Sequence, residues 1–290
     1  MRWRGREGSS NVEDRRGRRP KASVVGGGGI GVLLLALLVM FLGGDPRGLL
    51  QQAAQNRPEP AAVGPNEPVA ISQQDRERGE FASVVLADSE KIWNDLFRRS
   101  RLQYREPTMV LFSDVVNSGC GQASAASGPF YCPADEKVYL DTSFFDQLSR
   151  QLGAPGDFAQ AYVVAHEVGH HVQNILGKTD ELNQLRRRLP ENEYNRYSVR
   201  LELQADFYAG VMFHHAQQRW SILEPGDIEE GLRAAAAIGD DTLQKRSRGF
   251  ADQESFTHGT SEQRVKWFKL GLQTGDPSKG DTFAISDARL

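Results

Sequence analysis

Residues 157–177 read DFAQAYVVAHEVGHHVQNILG. No proline interrupts the run, Asp157 with Gln160 three residues on reads as an N-cap signal, and Gly177 supplies a stop, so it predicts one long helix. Tyr162, Val163, Val164, Ala165 and Val168 make most of that helix a buried one. Inside it His166-Glu167-Val168-Gly169-His170 is an H-E-x-x-H motif. At about 100° per residue the two histidines lie about 40° apart on one face, so both imidazoles can reach a single metal ion. Glu167 stands about 100° round from His166, positioned to miss the ion and reach a water on it, where a general base belongs. A buried carboxylate also needs a compensating partner, and such a water supplies one.

Two histidines leave a catalytic zinc site one protein ligand short, because such sites take three and keep a fourth position open. A third histidine six residues on is absent; Gln173 and Leu176 hold the key positions. Glu202-Leu203-Gln204-Ala205-Asp206 supplies carboxylates at i and i+4 on one face in apolar company, where like charges repel unless a cation or imidazole N–H faces them. The expected division puts Glu202 on the metal and Asp206 on the far N–H of His166 or His170. His171 points about 100° away from His170 and suits a polar contact. His214 and His215 read as solvated residues toward a helix end. His258, in Thr257-His258-Gly259-Thr260 before a helix, is either an oxyanion donor or a capping-region residue.

Working outward, Phe81, Val84, Val85, Ile92, Trp93, Leu96 and Phe97 recur at helical spacing over 79–101. Residues 108–112 and 137–140 read as strands of a small sheet, with a Gly/Ser/Ala loop carrying Cys120 and Cys132 between them. Residues 178–196 are polar enough to reverse the chain, and helices are expected over 197–217, from about Pro225 to Gly239, and after Thr260, whose spacing to Gln263 suggests a capping box. The class is α+β, a helix-rich domain with a small β-sheet, preceded by one transmembrane helix.

That span comes from charge. The chain of 290 residues carries a net charge of -3, which gives no reason to expect a nucleic-acid partner. Residues 1–21 hold 8 basic and 3 acidic side chains, leaving 27 basic against 35 acidic beyond them. No charge occurs between Lys21 and Asp45, and residues 24–44 would extend about 31 Å as a helix, enough for a bilayer core. No A-x-A type cleavage site follows it. With Arg15, Arg16, Arg18, Arg19 and Lys21 just before the span, the N-terminus is expected inside and the body outside the cell membrane. The expected segments are therefore a basic cytoplasmic tail (1–22), a single transmembrane helix (23–44), a Pro/Gln/Ala-rich linker (45–75) and one domain (76–290). Gly27 and Gly31 could let two such spans pack as a homodimer. Export would allow Cys120 and Cys132 to join in a disulfide.

Four blocks, VVAHEVGHHVQNILG, LELQADFYAG, SGCGQASAASGPFYCPADEKVYLD and THGTSEQRVKWF, together resemble the putative neutral zinc metallopeptidases, a family of bacterial membrane-anchored proteins. The resemblance implies a zincin-like fold, one zinc ion held by His166, His170 and Glu202, and Glu167 as the catalytic residue. It also implies cysteines where this chain has Phe207 and Gly280, so a second disulfide is expected to be missing. The expected function is hydrolysis of a peptide or protein substrate by Glu-assisted attack of a zinc-bound water. Two alternatives remain from the sequence: a non-catalytic membrane-tethered binding or assembly factor whose metal is structural, its shell closed by His171 or Asp206, and a hydrolase of non-peptide amides of the cell envelope.

Overall fold

Charge counting hides the first element of the fold. In the computed structural model, which describes residues 1–17, 70–124 and 128–290, Val12–Asp14 forms a strand, β1. After it come α1 (Gln73–Arg99), β2 (Thr108–Phe112), the hairpin β3–β4 (Val115–Ser118 and Gly121–Ser124), β5 (Phe130–Cys132) and β6 (Lys137–Asp141). Seven further helices follow: α2 (Phe144–Arg150), α3 (Asp157–Ile175), α4 (Lys178–Arg186), α5 (Glu191–Trp220), α6 (Asp227–Ala237), α7 (Asp240–Arg248) and α8 (Ser261–Thr274). The class is α+β. The main sheet has the order β1-β2-β6-β5, with β1/β2 and β2/β6 parallel and β5/β6 antiparallel.

The separate basic tail expected over 1–22 is corrected, because Met1–Arg16 belong to one compact unit with Ile71–Leu290. Met1 and Trp3 are buried in the main core, the Trp3 ring sits edge-on to Phe81 at 5.3 Å, and β1 pairs Glu13 with Val110. A three-residue edge strand among arginines carries no periodicity to read. The expected linker ends early too, since Ser72 caps α1 by accepting the Asp75 N–H. The expected span over 23–44, with Gly27 and Gly31, and the linker up to residue 69 lie outside the described residues. Among the described residues no helix is long and apolar enough to cross a membrane.

The helix of H-E-x-x-H, α3, lies at the centre. Phe158, Tyr162, Val164, Ala165, Val168 and Val172 are buried in the main core, together with Phe81, Val85 and Trp93 of α1 and Leu203, Phe207 and Phe213 of α5. Gly169 sets the crossing of α3 over α5: a Cβ there would stand 2.8 Å from the Ala205 carbonyl oxygen, so only glycine lets the two backbones approach this closely. Gly271 does the same for α8, where a Cβ would meet the Phe207 oxygen at 2.0 Å. Both close approaches tighten the α3–α5–α8 stack around one polar pocket.

Local signals fared unevenly. Thr260 caps α8 with both halves of the capping box formed with Gln263. Asp157 is the first residue of α3 and not its cap; Gly156 holds that position, and the Asp157 carboxylate takes the Met1 ammonium at 2.6 Å instead. The polar stretch 178–196 contains α4, and α5 begins at Glu191, earlier than its apolar pattern shows. Cys120 and Cys132 form a disulfide, and among the described residues no cysteine is free. Phe207 and Gly280 touch, the Phe207 ring occupying the place a Cβ on Gly280 would take. An aromatic ring over glycine stands where the resemblance implies a cysteine pair.

Candidate metal centre

His166 and His170 leave α3 on the face turned to α5, and Glu202 of α5 meets them. The three side chains offer ligand atoms within 4.8 Å of one another. His166 Nε2 lies 3.1 Å from His170 Nε2 and 3.2 Å from Glu202 Oε2, and His170 Nε2 lies 3.4 Å from Glu202 Oε1. Donors placed tetrahedrally at zinc's usual bond lengths of ~2.0–2.1 Å stand about 3.3 Å apart, which these separations match.

The tautomers follow from the partners on the far side of each ring. His166 Nδ1 faces Asp206 Oδ1 at 2.8 Å, a carboxylate that can only accept, so Nδ1 carries the proton. For His170 the partner is Gln173 Oε1 at 2.9 Å. The Gln173 amide cannot turn round, because its NH₂ donates to the Leu201 carbonyl at 2.7 Å and to Gln204 Oε1 at 3.2 Å. Both Nε2 atoms therefore present lone pairs to each other and to a carboxylate. Burial works against charge on His166, yet Asp206 and Glu202 outweigh it and raise its pKa, so a proton on Nε2 and a cation compete for the same place. The centre demands positive charge, and a divalent cation meets that demand.

Asp206 is fully buried, and three donors hold it. Arg264 of α8 grips both oxygens, Nε to Oδ2 at 2.8 Å and Nη2 to Oδ1 at 2.9 Å, and the Tyr162 hydroxyl donates to Oδ1 as well. Burial raises the Asp206 pKa, but Arg264 and His166 bring it below its ordinary value. Of the two histidines the sequence left open for Asp206, the structure selects His166. Arg264 and Gln173 went unread: a buried aspartate signals that it needs a cation, but nothing in the chain says which arginine comes.

Glu167 is buried on the adjoining face of α3, and among the described residues no group hydrogen-bonds its carboxylate. It lines a cleft of about 460 Å³ with His166, His170, Glu202 and His258. The structure thus brings His258, a site residue the sequence could not place, to the same cleft. Asp240, the first residue of α7, fixes it: Oδ1 faces His258 Nδ1 at 3.2 Å while Oδ2 accepts the backbone N–H groups of Thr257, His258 and Gly259 at 2.7, 2.5 and 3.0 Å. That bond, against some desolvation, raises the His258 pKa above its ordinary value. Among the described residues nothing hydrogen-bonds Nε2.

The remaining histidines face elsewhere. His171 is buried with Nε2 on the Arg105 carbonyl at 2.5 Å and Nδ1 toward the Tyr131 hydroxyl at 3.0 Å, so it does not close a fourth metal position, and Asp206 is engaged elsewhere. His214 and His215 are corrected from solvated residues to partners of the carbonyls of Leu272 and Gly275 at the end of α8, each at 2.8 Å.

A profile described as "Putative neutral zinc metallopeptidase" matches residues 1–283. The chain belongs to the putative neutral zinc metallopeptidase family. A protein of Escherichia coli K12 named "Uncharacterized protein YpfJ" is 45% identical over 295 residues, spanning 99% of this chain and all of that protein. "Uncharacterized protein Mb2605" of Mycobacterium bovis and "Uncharacterized protein Rv2575" of Mycobacterium tuberculosis are each 42% identical over 260 residues, 86% of both chains. No solved structure matches.

Proposed function

We propose that this chain is a zinc-dependent endopeptidase that cleaves peptide bonds within apolar stretches of an extended substrate. The observation that carries the reading is the convergence of the two Nε2 atoms and the Glu202 carboxylate at about tetrahedral spacing. His166, His170 and Glu202 would hold a single zinc ion. When bound, zinc supplies Lewis acidity that polarises a carbonyl and lowers the pKa of water from ~15.7 toward ~7.

The chain's own residues do the rest. Glu167 takes a proton from the attacking water and delivers it to the departing amine nitrogen. His258, held by Asp240, donates from Nε2 to the oxyanion that develops on the carbonyl. Two nearby tyrosines have their protons committed elsewhere, Tyr162 to Asp206 and Tyr131 to His171, which leaves His258 as the donor. Asp206 and Gln173 keep the imidazoles in the ligating tautomer.

Substrate class follows from the lining. Phe130, Phe144, Val163, Ile238 and Leu243 give the cleft apolar walls, and Phe130 belongs to β5, the edge strand of the sheet. Apart from the histidines, the lining cation is Arg264, whose guanidinium is engaged by Asp206, so nothing among the lining residues is placed to hold a substrate's terminal carboxylate. An internal segment fits these walls better than a chain end. Peptides with apolar residues and both ends blocked should be hydrolysed, and Glu167→Gln should keep its zinc while losing roughly 10²–10⁴-fold in rate. Undiminished hydrolysis by that variant would remove Glu167 from the mechanism.

A further inference from the structure

The N-terminal segment is tied to the catalytic unit along its length. Arg2 N–H donates to the Ile222 carbonyl at 2.8 Å, and Ser9 exchanges two bonds with Ser83 of α1, N–H to carbonyl at 3.0 Å and Ser83 hydroxyl to the Ser9 carbonyl at 3.1 Å. Asn11 O accepts from Met109 N–H and Arg15 N–H donates to Leu111 O, each at 2.8 Å, framing β1 on β2. Charge is engaged as well. Asp88, almost wholly buried on α1, pairs with Arg6 at 2.5 Å; Glu90 accepts from Ser9 and Asn11; Lys137 of β6 pairs with Glu13. Arg16 is buried, bonded to Asp14 and the Asp75 carbonyl. The family match begins at residue 1, so this segment lies inside the shared region.

A strand can pair only with a neighbour in its own compartment. One membrane crossing between residues 17 and 70 would put β1 and β2 on opposite sides. The uncharged residues 22–44 suffice for one helical crossing of about 20 residues, whereas a return would need ~40. We propose that residues 1–16 and the catalytic unit occupy the same side of the membrane. Two of the arginines that suggested a cytoplasmic N-terminus, Arg15 and Arg16, sit in ion pairs of the fold, as does Arg6. The Cys120–Cys132 bridge points to the oxidising side as the shared one.

The test uses the full chain in intact cells and reads no activity, so its outcome is independent of the zinc reading. Ser10 and Glu229 are exposed, and the native cysteines are joined. Ser10→Cys and Glu229→Cys, each treated with a membrane-impermeant maleimide and compared with permeabilised cells, should behave alike, both labelling from outside. Both shielded would keep the shared compartment and place it inside; one labelled and the other shielded overturns the proposal. Should either variant misfold, thermal melts of purified Arg6→Ala, Asp88→Asn and the double variant give a second reading. Docking in the full chain predicts lowered, non-additive melting temperatures, and unchanged melting in all three overturns it.

Discussion

Asp206 shows how far a single side chain reaches at this site. It orients His166, and it is itself held by Arg264 and Tyr162, so Asp206→Asn should weaken zinc binding by roughly 10–100-fold in chelator competition. Arg264→Met should go further and lower stability by about 3–5 kcal/mol, because it strands a fully buried carboxylate. A melting temperature in Arg264→Met equal to that of the parent would contradict this account of the pair. His258 makes a prediction about pH. Its pKa is raised by Asp240, so the imidazolium persists above the ordinary histidine value; the ion-pair stabilisation is fully present below that value and lost as pH rises through the raised one, where Nε2 gives up its proton while Nδ1–H stays on Asp240. The rate should fall along that same alkaline limb. His258→Gln should slow turnover by ~10²–10³-fold, keep its zinc and lose the limb, as a pH series of kcat for both proteins would reveal.

Helix crossings decide whether those side chains meet. Gly169→Ala would push a methyl to within 2.8 Å of the Ala205 carbonyl, forcing α3 and α5 apart at the point where Glu202 faces the histidines. Such overpacking costs about 1–3 kcal/mol, and the separation should cut zinc affinity along with stability. A variant that melts earlier but holds zinc as tightly would show that the crossing does not set the ligand geometry. This scale also separates what the sequence could reveal from what it could not. Helix α3 was legible because apolar residues, two histidines and a terminal glycine share one local run, and the α8 cap because Thr260 and Gln263 lie three residues apart. Glu202 and Asp206 could be read because like charges four residues apart in apolar company need a cation. Arg264 and Asp240 could not, since each meets its partner only through a tertiary crossing or a loop closure; Gln173 reaches His170 within one helical turn, but the contacts that fix its amide come from Leu201 and Gln204 of α5. Strand β1 escaped for the same reason: three residues pair with a strand almost a hundred positions away.

For the whole molecule the consequence is one compact unit built from residues 1–16 and 71–290, with α3 in the middle. Residues 1–16 cover α1 and extend the sheet at β1; the opposite edge, β5, supplies a wall of the cleft and carries Cys132 of the disulfide. The N-terminal segment thus bears on the fold, while the candidate metal ligands come from two helices. Elemental analysis of the purified full-length protein and of its His166→Ala, Glu202→Ala and Glu167→Gln variants tests that chemistry most directly. The account predicts one zinc per chain in the parent and in Glu167→Gln, and little or none when His166 or Glu202 is replaced. A parent without zinc, or a Glu202→Ala protein holding a full equivalent, would contradict it.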